Sequence, residues 1–417
     1  MNRQLRRDAD TIIAQAIQAV LPDAAVKQTL EGRRFSGRVV LIAAGKAAWQ
    51  MAKAAFDCAG EQIGQGVVIT KYGHVKGPLP RTVCYEAGHP IPDENSFDAA
   101  ETAIRAVQGL TDRDTVLFLL SGGGSALFEK PKVDRKELQD ITEQLLACGA
   151  DIVEMNILRK RLSQVKGGQF AKLCAPAKVV SIILSDILGD PLDMIASGPT
   201  VPDAATCAQA LAIVEKYQLH LSAFAMECLH RETPKELTNI ETHVNGSVKE
   251  LCRAAANACK ALDYEPFILT DQLCCQAKEA GSFLGSIAKT HSTDGKRLAF
   301  IAGGETVVKL TGHGLGGRNQ EIALAAAKEI SRIGNVCVFS VGSDGTDGPT
   351  DAAGGYADGD TEKELNKAGK GIDAALREND AYHALQAANG LIFTGPTGTN
   401  VNDFAVVLVG ENHPMTE

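Results

Sequence analysis

Val39-Val40-Leu41-Ile42-Ala43-Ala44-Gly45-Lys46-Ala47-Ala48 passes from six apolar residues through a glycine and a lysine into an alanine-rich segment. A short apolar run bounded by glycine predicts a strand buried on both faces. Ala47, Ala48, Met51, Ala52 and Ala55 follow at the three-to-four spacing of one helical face. A strand that turns directly into a helix is the repeating unit of an α/β sheet.

The same grammar continues on both sides. Strands are predicted at Val67–Thr70, Val83–Ala87, Thr115–Leu120 and Val179–Leu184, with helices over about 96–110, 135–149 and 154–174. Upstream, Ile12, Ile13, Ala16, Ile17, Val20 and Leu21 share one face of a helix. Strands alternating with helices predict α/β with a largely parallel sheet. Beyond about residue 235 short strands with glycine turns outnumber helices. They are predicted at Pro266–Thr270, Leu298–Ile301, Thr306–Leu310, Val336–Val341, Leu391–Thr394 and Ala405–Val409, with helices over 249–262 and 274–291. A boundary is expected between 230 and 245, giving domains 1–238 and 239–417.

Composition limits the function classes. The chain has 417 residues, enough for two to three domains. Its net charge of −9 gives no general attraction to nucleic acid or an anionic membrane. The longest apolar runs, such as Val39–Ala44 and Phe404–Val409, are six residues, far short of the ~20 that span a bilayer. The eleven cysteines include no C-x-x-C pair, and the N-terminus lacks an apolar secretory core. Scattered reduced thiols in a cytoplasmic protein are the expectation.

In open parallel sheets ligands bind beyond the carboxyl ends of the strands. Lys46, His89 in Gly88-His89-Pro90, Ser121-Gly122-Gly123-Gly124-Ser125 and Ser185-Asp186 all fall there. Three consecutive glycines let backbone N–H groups converge on a phosphate or carboxylate; a tight strand-to-helix turn is the plainer alternative. The densest glycine block carries Glu305 after Gly303-Gly304, then Arg318 and Asn319 after Gly316-Gly317. A guanidinium there suits bidentate contact with an anion. Asp186, Asp344 and Asp347 lie in glycine turns, where carboxylates can hold Mg²⁺ together with substrate phosphates, although Asp is also an ordinary turn residue.

Taken in order, Gly88-His89-Pro90-Ile91-Pro92-Asp93, Ser121–Leu127, Lys166-Gly167-Gly168, Ser185-Asp186, Ile195–Thr200, Gly317–Glu321, Asp344–Asp351 and Gly395–Asn400 resemble the MOFRL-type (class II) glycerate 2-kinases, some of which carry the label hydroxypyruvate reductase. The resemblance implies two different α/β domains, the first Rossmann-like with a largely parallel sheet and the second with a mixed sheet, and a site in the cleft between them. It implies ATP- and Mg²⁺-dependent phosphorylation of D-glycerate to 2-phosphoglycerate and ADP. The family's lysine matches Lys46 and its arginine Arg318, with Asp186 the third candidate catalytic group. No nucleic-acid or membrane partner is expected, and a homo-oligomer is left open. Two rivals remain at this point. A hydroxypyruvate reductase using NAD(P)H would want a G-x-G-x-x-G turn directly after the first strand, where Gly45 stands alone. A non-catalytic sugar-phosphate sensor would need the anion turns but no metal carboxylates.

Overall fold

In the computed structural model, which describes residues 1–411, β1 (Val39–Ala44) lies inside a six-stranded sheet. Its companions are β2 (Ile63–Lys71), β3 (Thr82–Ala87), β4 (Thr115–Leu120), β5 (Lys178–Leu184) and β6 (Ile240–Gly246). The strand order is β3-β2-β1-β4-β5-β6, that of a doubly wound nucleotide-binding sheet. The pairs β1–β2, β1–β4, β2–β3 and β4–β5 are all parallel. Between β1 and β4 the winding reverses, so the loops after these two strands part and leave a crevice. Every residue of β1 and of β4 is buried. On one face Leu41, Ala43, Leu117 and Leu119 pack with Met51, Ala52 and Ala55 of the helix Ala48–Ala59. The ring of Phe118 packs against Phe128 and Phe170.

A second six-stranded sheet runs β11 (Leu391–Ile392), β10 (Gly354–Asp358), β9 (Val336–Gly342), β12 (Asp403–Val409), β8 (Leu298–Gly304), β7 (Glu265–Leu273). β7 and β8 are parallel, while β12 is antiparallel to both β8 and β9, so the sheet is mixed. Phe404, Val406 and Leu408 point into one core and Ala405, Val407 and Val409 into the other. This period-two split explains why Phe404–Val409 reads as an unbroken apolar run.

The chain divides into two units, but not at one point. The first is Ala25–Ser185 with Asp190–Asn245, and the second is Met1–Ala24, Asp186–Gly189 and everything from Gly246 on. The expected limits, 1–238 and 239–417, therefore need revision at the N-terminus. The helix Arg3–Ala19 packs its apolar stripe, including Ile12, Ile13 and Ile17, into the core around the helix Val248–Ala261 of the second unit. Asp8 accepts a hydrogen bond from the Tyr264 hydroxyl at 2.7 Å and pairs with Arg297 at 3.2 Å. The boundary itself moves to 245/246, because β6 completes the first sheet with a half-buried, polar strand. The expected end at 417 lies outside the described residues. Three further expectations change. Thr306–Leu310 makes only an isolated bridge at Val307, and Leu310 is exposed. The helix expected over 154–174 is two, Ile152–Leu162 and Gln169–Cys174, separated by Gly167 and Gly168 at positive φ. β10 was not expected, because Gly354-Gly355 interrupts its apolar pattern.

Candidate active site

In the first unit the loops after β1 and β4 are tied together backbone to backbone. The Lys46 amide donates to the Gly122 carbonyl at 2.9 Å, and the Ala47 amide donates to Ser121 Oγ at 3.0 Å. Gly45, at φ +124°, has no room for a side chain, since a Cβ there would lie 2.3 Å from Ser121 Oγ. The Lys46 carbonyl in turn accepts from Thr70 Oγ1 at 3.3 Å. The Lys46 backbone is thus fixed from three sides while its side chain stays exposed. Gly123, at φ +86°, sits under two side chains: a Cβ there would meet His89 Nε2 at 3.1 Å and Lys46 Cγ at 3.3 Å. The structure therefore brings Lys46, His89 and Gly123 together at the place where the sheet winding reverses. Gly122 and Gly124 complete the turn, and Gly124 opens a helix of one turn, Gly124–Leu127. Ser121 is buried, and its hydroxyl oxygen accepts from the Ala47 amide, a bond that shapes the loop. Ser125 is exposed, with its carbonyl held by Lys166 Nζ at 2.7 Å.

Asp186 follows β5 directly and is half-buried, in the short segment Asp186–Gly189 that belongs to the second unit. Leu188 of that segment packs against the second unit's core.

The second unit places Arg318 at the first position of the helix Arg318–Glu329. Its guanidinium grips Asp403 at the start of β12 in a two-pronged contact, Nε to Oδ2 and Nη2 to Oδ1, and donates through Nη1 to Glu305 Oε1 at 2.9 Å. Burial opposes the arginine's charge, but the Asp403 carboxylate outweighs it, so the guanidinium is held more firmly protonated than usual. Glu305 is half-exposed, whereas Asp403 is buried. One N–H on each terminal nitrogen of Arg318 remains outside these contacts.

Asn319 and Asp347 turn out to be internal. Asp347 accepts from the amides of Asn319 (3.1 Å) and Gln320 (2.8 Å), which are otherwise unpaired at the helix start. Gly317 permits this, since a Cβ there would fall 2.2 Å from Asp347 Cγ. Burial, with the nearby Asp403 charge, pushes the Asp347 carboxyl up to about 6, against the two amides. Asn319 is 1% exposed, donates to Asp347 and accepts from Ser340 Oγ. Asn319 is therefore a scaffold residue rather than a substrate contact, and Asp347 is a helix cap rather than an open metal ligand. Asp344 differs: it is half-buried at the end of β9 and accepts from the Thr346 amide through Oδ1. Among the described residues no group of three or more His, Cys, Asp or Glu forms a metal cage. A lone carboxylate still suits Mg²⁺ carried in on phosphates. In sequence Asp403 closes the polar turn Thr394–Asp403, which reads as a ligand grip or a helix cap; its pairing with Arg318 is not legible there.

Two family models match the chain. One, described as a domain of unknown function (DUF4147), covers residues 8–230, and one described as the MOFRL family covers 298–403. The chain is 49% identical to a D-glycerate 2-kinase of Thermotoga maritima over 97% of its own length and 98% of the relative's. It is 40% identical to a glycerate 2-kinase of Pyrococcus horikoshii over 97% of each. A crystal structure of Thermotoga maritima glycerate kinase superposes with a TM-score of 0.93 at 49% identity, covering 97% of this chain and 99% of that one. With its doubly wound and mixed sheets, its ordered motifs and these full-length matches, the chain belongs to the MOFRL-type glycerate 2-kinase family.

Proposed function

We infer that the protein transfers a phosphoryl group from ATP to the 2-hydroxyl of D-glycerate, giving 2-phosphoglycerate and ADP. The observation that carries this reading is the gathering of Lys46, His89 and the Gly122–Gly124 turn at the winding reversal of a nucleotide-binding sheet. It is joined by the names of the full-length relatives. Phosphoryl transfer asks a protein chiefly to position the reactants and to neutralise charge on the transferring group. Lys46, exposed at its tip and fixed at its backbone, supplies a point charge. The glycine turn supplies a surface on which phosphate oxygens can lie against backbone. Arg318, oriented by Asp403 and Glu305, keeps two N–H groups for an anionic oxygen.

Mg²⁺ belongs to the same proposal. Asp344 and Asp186 are the carboxylates that would hold it, and the ion would offset charge on the phosphate chain. Asp347 drops out of that set because its oxygens cap a helix. A cytoplasmic location is part of the reading, and none of the eleven cysteines forms a disulfide. Among the described residues no helix is long and apolar enough to cross a membrane.

Phosphorus NMR of the product from ATP, Mg²⁺ and D-glycerate tests the reading directly. A 2-phosphoglycerate signal that disappears on chelating Mg²⁺ is expected. A product that is solely 3-phosphoglycerate overturns the regiochemistry. Oxidation of NADH by hydroxypyruvate, with no ADP formed from glycerate, overturns the kinase assignment.

A further inference from the structure

The helix Ile152–Leu162 ends in three consecutive cations, Arg159, Lys160 and Arg161. Residues one apart on a helix point about 100° from each other, so all three cannot face solvent together. Two of them have carboxylate partners. Lys160 pairs with Asp193 at 3.1 Å and Asp203 at 3.2 Å, and Arg161 pairs with Glu232 at 3.0 Å. Arg159 differs. It is half-buried, and no hydrogen bond or ion pair holds its guanidinium among the described residues. Burial pulls it below the ordinary arginine range, with only the Glu129 carboxylate acting against that.

Arg159 opens into a cavity of about 330 Å³ lying wholly within the first unit. That volume is at the small end of the range for small-molecule sites. Ile91, Pro92, Leu138 and Leu146 form its apolar walls, and Glu129 and Lys166 join Arg159 at its polar end. Lys166 Nζ is fully engaged, by the carbonyls of Ser125 (2.7 Å) and Phe128 (3.3 Å) and by Glu129 Oε2 (3.2 Å). Glu129 is 4% exposed, and its other oxygen, Oε1, is buried without a partner. The cavity is thus lined by three cations, Arg135, Arg159 and Lys166, against two carboxylates, Glu129 and Glu143, with the five guanidinium donors of Arg159 awaiting acceptors and one Glu129 oxygen awaiting a donor. An uncompensated guanidinium in a partly apolar pocket calls for an anion, and the orphaned Oε1 calls for a hydroxyl.

The cavity also adjoins the phosphate-handling loop. Ser125 lines it directly after Gly122–Gly124, and Pro90 lines it next to His89, whose ring lies over Gly123. We propose that this pocket receives the acceptor substrate, with the carboxylate of a small hydroxy acid on Arg159 and a substrate hydroxyl donating to Glu129 Oε1. The proposal rests on the glycerate kinase reading for the identity of the acid. A planar fork matches a carboxylate in two places at once, and the apolar walls exclude the water that would weaken the contact. Adenine, the rival occupant by size, brings no negative charge for Arg159.

Calorimetric titration of the full-length protein with D-glycerate alone, without nucleotide, separates this proposal from the kinase reading. Wild type should bind. Arg159→Met should weaken binding about 10- to 100-fold, the scale for losing a charge-assisted hydrogen bond, and Arg159→Lys should recover only part of that. In steady state the same loss should appear in KM for D-glycerate, with KM for ATP changed less than about threefold. Because the Arg159 guanidinium makes no hydrogen bond, both variants should keep the wild-type thermal midpoint. Wild-type affinity for D-glycerate in Arg159→Met, no D-glycerate binding by wild type, or an effect confined to KM for ATP each overturns the proposal. Binding without any ADP formation would instead leave the pocket assignment standing and remove the kinase reading.

Discussion

Lys46 and Arg318 are both cations at strand-to-helix turns, yet their surroundings separate their consequences. The Lys46 side chain is exposed, so Lys46→Ala should leave the thermal midpoint unchanged. It should lower kcat at least ~10²-fold, the scale of one preorganised transition-state contact, in a coupled ADP-release assay. Arg318 holds a buried carboxylate. Arg318→Lys should therefore cost stability as well as rate, by about 1–3 kcal/mol in urea unfolding, because an ammonium cannot satisfy both oxygens of Asp403. Asp347 yields a prediction in pH. Its folded value of about 6 lies above the usual 3.8, so the fold favours its protonated form. That contribution is complete below about pH 4 and is gone once pH passes about 6. Asp347→Asn cannot ionise. The stability of wild type relative to this variant should accordingly fall by ~3 kcal/mol between pH 4 and pH 7, as read from denaturation midpoints. A difference independent of pH would show that Asp347 stays ionised throughout.

Elements differ in how plainly they are written. β1 and β4 have the same limits in sequence and structure because a strand covered on both faces has no polar position to blur its edges. β6 is half-buried and reads Ile-Glu-Thr-His-Val-Asn-Gly, so no apolar run announces it. β10 is buried through its glycines, whose lack of side chains lets Ser340 approach closely, and packing of that kind leaves no hydrophobic signature. The same holds for the site. Lys46, His89 and Gly123 were legible because strand ends fix where they must go. The Arg318–Asp403 pair and the Arg159 cavity were not, since their partners come from distant parts of the chain. The helix Ile152–Leu162 is anchored through a polar interior: Asp203, 1% exposed, accepts from Thr233 Oγ1 at 2.7 Å and pairs with Lys160. Asp203→Asn leaves that buried cation short of a counter-charge and should destabilise the first unit by about 3 kcal/mol, measured by urea denaturation. An unchanged midpoint would mean that Asp193 and Glu232 suffice.

At the scale of the whole molecule, the first helix is structural for a unit otherwise built from the far end of the chain. Ile12, Ile13 and Ile17 are all buried there. At roughly 1.5–3 kcal/mol each, these three side chains contribute an amount comparable to the net stability of an ordinary domain. Removing residues 1–21 should therefore unfold the unit containing β7–β12 while the unit containing β1–β6 keeps its protection. Hydrogen exchange followed by mass spectrometry distinguishes the two. Equal protection in both units of the truncated protein would show that the second core closes without the helix.

The same helix sets a schedule for biosynthesis. It leaves the ribosome well before Val248–Ala261, against which it packs and which follows ~230 residues later. At about 5–20 residues per second, its isoleucine stripe stays uncovered for roughly ten to fifty seconds while β1–β6 are being made and assembled. Through that interval the nascent chain carries an adhesive stripe. Its yield in the cell depends on whatever shelters that stripe, such as a holding chaperone, until the partner helix has been made.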